Sequence, residues 1–297
     1  MLLIISIILI AALGYLAQSV GLCMVRGVRE ASNGRPMFLI AIIFSGTLSW
    51  ISILVARHLQ MQTPFISFNL SLWAVLGGLI FGIGSAINNG CGVSTISRLA
   101  RGHLAMAMTI CGWLTGWFLL AMFGPDIQPE PYALTESRHL AGLGLLTWGI
   151  VVLNIKITPR NRKVWLSMLL IGLMASIVFL TEPHWTPSAL LKDMSSSLSG
   201  NRAWPEASRF ALFLALLGGM LLAAFKARNF KLRYINGRQA VKHLAAGVMM
   251  GMGAAVASGG NDTQLLLALP SFSPAGITTV FFILLGIYLG RRLISER

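Results

Sequence analysis

Long apolar runs alternate with short polar segments along the chain, falling at residues 2–22, 37–56, 72–97, 104–123, 140–155, 165–181, 207–225, 243–269 and 275–290. Runs of this length predict membrane-crossing α-helices, because in lipid only a helix or a closed barrel satisfies its own backbone. Two of the nine are interrupted: by Asn88-Asn89-Gly90-Cys91-Gly92 in the third and by Ser258-Gly259-Gly260-Asn261-Asp262 in the eighth. The apolar part of the third run, Leu72 to Ile87, makes roughly 24 Å of helix, short of a hydrocarbon core of about 30 Å. Its break is therefore predicted at membrane depth, where irregular backbone survives only if protein covers it or it lines a cavity. Broken helices aimed at a central site are a recurrent way to build a transport site.

The two breaks belong to an internal repeat. Gly78, Gly82, Gly84, Ala86 and Gly90 match Gly247, Gly251, Gly253, Ala255 and Gly259 without a gap. Small residues at such spacing also serve plain helix packing, so the shared polar break after Gly90 and Gly259 is what marks a repeat. Loop charges give its sense. One set of loops carries Arg26, Arg29 and Arg35, then Arg98 and Arg101, then Lys156, Arg160, Arg162 and Lys163, then Lys226 to Lys242, and the tail to Arg297. The alternate set carries Asp126, Glu130, Glu136, Glu182, Asp193 and Glu206. Basic loops face the cytoplasm, which puts the N-terminus outside and the C-terminus inside. The first copy then enters from outside and the second from the cytoplasm.

The expected fold is an all-α polytopic membrane protein, a single transmembrane domain over 1–297 with about nine transmembrane helices. It divides into repeat one (about 1–123), a connector helix (about 140–155) and repeat two (about 165–290), an inverted-topology repeat whose two broken, glycine-rich helices meet at the centre. The longest polar loop, 181–209, is expected to be an external loop or a short interfacial helix.

Composition narrows the function. With 56% hydrophobic and 11% charged residues and a mean hydropathy of +0.76, the chain does not read as a soluble domain. The net charge of +14 resides in loops between apolar runs, so it predicts membrane orientation and no nucleic-acid partner. The first run lacks a basic start and a cleavage site and reads as a span rather than a signal peptide. Cys23, Cys91 and Cys111 lack the close spacing of a zinc or redox pair, and the five histidines, mostly in loops, lack ligand spacing. No metal, cofactor or ATP-binding motif is expected, which leaves facilitated or ion-coupled transport and no catalysis.

Candidate chemistry gathers at the breaks. Cys91, with Asn89, Gly90, Gly92 and Ser94 about it, offers a thiol in a tight turn with free backbone amides. Cys23 shares a polar face with Gln18 and Ser19 inside an apolar helix, whereas Cys111 sits in a regular helix and reads as packing. In the second copy Gly260, Asn261, Asp262 and Thr263 stand where the first has Cys91, Gly92, Val93 and Ser94. Asp262 is either a functional intramembrane carboxylate or a helix N-cap, and the two roles are compatible. A buried neutral thiol is a weak S–H donor to a soft anion, and half-helix N-termini add positive potential.

These residues resemble the YeeE/YedE sulphur-transport family of bacterial inner-membrane proteins, through GIGSAINNGCGVSTISRLARG, GLCMVRGVRE and GVMMGMGAAVASGG. The resemblance implies nine crossings and a narrow, cysteine-bearing path for a small sulphur-containing anion, thiosulfate or similar. Cys91 and Cys23 would be substrate contacts by motif match. Where that family usually carries a further cysteine, this chain has Gly260. The competing reading is a membrane thiol protein that accepts sulfane sulphur or selenium on Cys91 and passes it to a cytoplasmic sulphur carrier.

Overall fold

The protein is described by a computed structural model covering residues 2–125, 127–200 and 203–295. Asp126 and Arg297, counted above among the loop charges, lie outside the described residues. In chain order the α-helices are α1 (Leu2–Val20), α2 (Met24–Ser32), α3 (Met37–Ile43), α4 (Ser49–His58), α5 (Leu72–Asn88), α6 (Gly92–Ala100) and α7 (Ala105–Phe123). They continue as α8 (Glu136–Lys156), α9 (Pro159–Thr181), α10 (Pro187–Leu198), α11 (Ala207–Lys226), α12 (Gly237–Val256), α13 (Asn261–Thr263) and α14 (Pro274–Ser295). A 3₁₀ turn, Ser45–Leu48, joins α3 to α4, and a π turn, Gln264–Ala268, prolongs α13. Among the described residues these make eight spans, or nine when α12 and the segment from Asn261 to Ala268 count as one span bent by 49°.

Four helices form the central layer in the order α14, α5, α12, α7. Glycines set the spacing at each seam. A Cβ at Gly78 would lie 2.7 Å from the Thr279 carbonyl oxygen on α14, and one at Gly84 would lie 3.0 Å from the Ala246 carbonyl oxygen on α12. Lipid gives helices no hydrophobic reason to associate, so close backbone approach through small residues does that work. Ser71 caps α5 by accepting from the Trp73 amide, and Asn236 caps α12 by accepting from the Gln239 amide.

The packing exchanges between the halves. α5 on α14 is matched by α12 on α7, and α1 on α11 by α9 on the α3–α4 span, while α5 meets α12 across the centre. The loops follow suit. On the basic face the Arg233 amide donates to the Gly102 carbonyl at 2.8 Å; on the opposite face the Phe68 amide donates to the Ser273 hydroxyl at 3.0 Å. This is an inverted repeat with both breaks at its middle. α8 packs on α4 and the 3₁₀ turn and leaves Leu145, Trp148 and Ile155 exposed to lipid.

The segment 181–209 departs from expectation. It does hold a short helix, α10, but the start of that helix is buried against α7 and α13 rather than lying at the interface. Ser188 is fully buried there. A polar sequence can sit so deep because its hydroxyls and amides find partners inside the protein.

Candidate functional site

Both breaks have the same local geometry. α5 ends at Asn88, Asn89 turns left-handed at φ 54°, and Cys91 is the N-cap of α6. α12 ends at Val256, Ser258 turns left-handed at φ 58°, and Gly260 is the N-cap of α13. Asparagine tolerates that conformation better than most residues because its short polar side chain bonds locally. Two further helices start at the same place: Cys23 is the N-cap of α2 and Thr186 the N-cap of α10. The starts of α2, α6, α10 and α13 thus converge, and amides in the first turns of α6, α10 and α13 are taken by the side chains of Asn261, Thr186 and Asp262.

Asn88 holds the first break in shape. Its amide nitrogen donates to the Gly90 carbonyl at 2.9 Å and to Thr95 Oγ1 at 2.8 Å. Its oxygen accepts from Thr109 Oγ1 at 2.8 Å and lies 2.8 Å from His243 Nδ1. Arg98 donates to the Asn88 carbonyl at 3.2 Å and caps α5 from the basic side. The two breaks touch where the Gly92 amide donates to Asn261 Oδ1 at 3.1 Å.

At the first break two thiols meet. The Cys23 side chain lies beside those of Cys91 and Ser94 and the backbone of Arg26 and Cys91, and its sulfur makes no cap hydrogen bond to its own helix. The Cys91 side chain lies near the backbone of Ser94 and Met24, and its sulfur makes no cap hydrogen bond to its own helix. The first turns of α2 and α6 therefore flank the pair. Cys91 is buried and Cys23 partly so. Gln18 joins this region by accepting from the Ser97 hydroxyl at 2.5 Å, whereas Ser19 faces outward and bonds its own helix.

At the second break oxygen replaces sulfur. Thr263 Oγ1 lies 3.1 Å from Thr186 Oγ1 and 3.0 Å from Ser188 Oγ. Asp262 accepts from the Ser188 amide at 2.9 Å and from the Thr263 amide at 3.0 Å. The expected N-cap position is held by Gly260 instead, and Asp262, inside α13, caps the first turn of α10 by accepting from the Ser188 amide. Beside both breaks lies a cavity of about 20 Å³ bordered by Leu22, Ile42, Val93, Asp262 and Leu265, space for about one water molecule.

On the basic side of the site lie Arg98, Arg101, His103 and Arg233. Among the described residues none of the three arginines has a carboxylate partner. Burial, then the charges of Arg98, Arg233 and Arg101, hold the His103 imidazole down at about 4. The cations are felt there as uncompensated positive charge.

Of the residues singled out from sequence, Cys23, Cys91, Gly90, Gly92, Ser94, Gly260, Asn261, Asp262 and Thr263 come together here. Asn89 contributes conformation, with its side chain exposed, and Cys111 is exposed on α7 away from the thiol pair. The histidines are not mostly in loops: His139 and His243 are buried in α8 and α12. No group of three His, Cys, Asp or Glu is placed to hold a metal ion among the described residues. Thr186, Ser188, Asn88 and His243 escaped sequence reasoning. The repeat register could have pointed to Asn88, the last helical residue before the break, but Thr186 and Ser188 lie in a polar loop with no counterpart in the glycine pattern.

Comparison with known proteins agrees with the two-fold construction. A family model described as sulphur transport matches twice, over residues 21–162 and 153–289. The chain is also similar to the thiosulfate transporter TsuA of Escherichia coli (strain K12), at 23% identity covering 97% of this chain and 93% of that protein.

Proposed function

The chain belongs to the sulphur transport family, and on that premise we propose that it takes up thiosulfate or a similar small sulphur-containing anion across a bacterial inner membrane. The observation that carries the proposal is the meeting of Cys23 and Cys91 at the converging starts of α2 and α6. A soft terminal sulphur suits S–H donors, and the helix starts add positive potential, with the Arg98 guanidinium close by on the basic side of the first break. Gly90, Gly92 and Asn89 shape the turn that exposes these donors; Ser94, Asn261 and Thr263 add neutral polar groups along the path. The anion enters from the acidic-loop face and leaves past Arg98 and Arg101 into the cytoplasm, with the N-terminus outside. Repeat one (about 1–123), the connector (about 140–155) and repeat two (about 165–290) are the units of this device.

The test is uptake of radiolabelled thiosulfate by cells lacking other uptake routes. Cys91→Ala and Cys23→Ala should each lower uptake about tenfold or more, the scale of one lost hydrogen bond to a charged ligand. Cys111→Ala should leave it unchanged. Full uptake by both site variants would overturn the assignment.

The adjacent thiols also favour one second reading, in which Cys91 accepts sulfane sulphur or selenium and passes it to a cytoplasmic sulphur carrier. Mass spectrometry of protein exposed to thiosulfate separates the two. Transport without catalysis predicts no stable adduct, and a persulfide on Cys91 would favour the carrier reading.

A further inference from the structure

The second break holds no side chain where the first holds a thiol. Gly260 corresponds to Cys91 in the repeat register, as Asn261 does to Gly92 and Thr263 to Ser94. A Cβ at Gly260 would lie 2.7 Å from Ser188 Cβ and 3.0 Å from Trp113 Cζ2. The space that Cys91 fills in one half is taken in the other by Ser188, by Asp262, whose Oδ1 would lie 2.8 Å from that Cβ, and by Trp113.

Trp113 comes from α7 and its six-membered ring is wedged between the breaks. A Cβ at Gly92 would lie 2.5 Å from its Cη2, while Cζ2 faces Gly260. Cζ2 is bonded to Cε2, which carries Nε1, so the indole N–H is on the edge turned to the second break. Phe81 holds the ring from the side, edge to face, with centroids 6.1 Å apart. Trp113 is 1% exposed, and its Nε1 has no hydrogen-bond partner. Buried indole N–H groups ordinarily find an acceptor. Trp117, Trp165 and Trp185 also carry buried indole N–H groups without a partner, and Trp113 is the one whose ring is wedged between the two breaks.

We propose that Trp113 Nε1 and the Ser188 hydroxyl form a second anion station, which takes the oxygen end of the transported oxyanion as the thiol pair takes its sulphur end. The proposal rests on the transport reading above. N–H and O–H are hard donors suited to sulfonyl-type oxygens, and the Thr186–Thr263–Ser188 hydroxyl chain lets Ser188 donate while it is itself supplied. Asp262 stands beside the station with its oxygens occupied by the Ser188 and Thr263 amides. Its proximity keeps the station weak, which passage requires. One turn further along α7, the buried Trp117 Nε1 is also unpaired and Lys192 Nζ lies 5.9 Å from its ring centre, extending the same donor edge toward the acidic-loop face.

The experiment is thiosulfate uptake into proteoliposomes by the wild type, Trp113→Phe and Ser188→Ala. Phenylalanine keeps a wedge between the glycines and removes the N–H. Trp113→Phe should raise the KM for thiosulfate about tenfold, with the maximal rate less affected. Trp165→Phe, which deletes a buried and likewise unpaired indole N–H on α9, should leave KM unchanged. An unchanged KM in Trp113→Phe, or an equal loss in Trp165→Phe, overturns the station while leaving the transport reading intact; no flux in the wild type overturns the transport reading itself. Should Trp113→Phe fail to fold, 5-fluorotryptophan incorporated into the wild type gives a fluorine resonance for Trp113. Thiosulfate should shift that resonance while sparing Trp165, and no shift overturns the proposal.

Discussion

Gly260 is a residue that a thiol cannot simply replace. Ser188 Cβ, Asp262 Oδ1 and the Trp113 ring stand where its side chain would go, and overpacking a well-filled interior costs about 1–3 kcal/mol. Gly260→Cys should therefore lower the thermal midpoint of the purified protein, and Ser188→Gly in the same background should recover part of the loss. An unchanged midpoint would mean that the seam yields freely. His103 gives a pH-dependent counterpart. Its folded value of about 4 lies below the ordinary 6.5, chiefly through burial and then through Arg98, Arg233 and Arg101. Between those values the unfolded chain binds more protons than the folded one. The stability is intact above 6.5 and falls as pH drops through the window toward 4. Melts of the wild type and His103→Gln across that window should show a shallower slope in the variant. At this scale Cys91 was legible because a cysteine between glycines in a broken apolar run has few structural uses. Its contact with Cys23 was not, since no local pattern ties two thiols on different spans.

Elements were read more reliably than the residues that join them. The nine apolar runs correspond to the spans because hydrophobic length is a strong constraint in lipid, and the glycine register found both breaks. The geometry of a break depends on a few side chains that hydropathy does not see. Asn88 alone satisfies the Gly90 carbonyl, Thr95, Thr109 and His243. Replacing it with leucine leaves several buried polar groups without a partner, each costing about 1–3 kcal/mol. Asn88→Leu should therefore be among the least stable variants, measured as loss of monodisperse protein after extraction. Its neighbour separates conformation from chemistry. Asn89 is exposed and left-handed at φ 54°, so Asn89→Gly should be nearly neutral, while Asn89→Val should cost about 1–2 kcal/mol through the same backbone. Equal midpoints for the two variants would show that the break does not depend on that conformation. α10 was misplaced from sequence for a related reason: a serine-rich helix reads as surface until its buried partners, Asp262 and Thr263, are known.

At the scale of the whole molecule, the exchange of contacts between halves constrains orientation. Among the described residues, counting α12 and the bent segment after it as one span gives nine, an odd number that predicts termini on opposite sides, and the antiparallel halves place the 228–236 loop with Arg98 and Arg101 on one face and the 127–135 segment on the other. Uncompensated arginines gather on the first of these faces, where Lys231 and Arg233 pair by backbone with Arg101 and Gly102. Transferring so many cations across the bilayer during insertion is unfavourable, which predicts this face in the cytoplasm. Single cysteines introduced at Glu130 and at Arg228, in a chain whose three native cysteines are changed to alanine, should respond oppositely to a membrane-impermeant maleimide applied to intact cells. Glu130→Cys should label at once and Arg228→Cys only after permeabilisation. The reverse pattern would invert the path and make Arg98 and Arg101 an entrance for the anion instead of its exit, while leaving the thiol pair and the packing of the two halves untouched. Labelling of both sites in intact cells would instead break the odd number of spans between them, and with it the inverted relation of the halves.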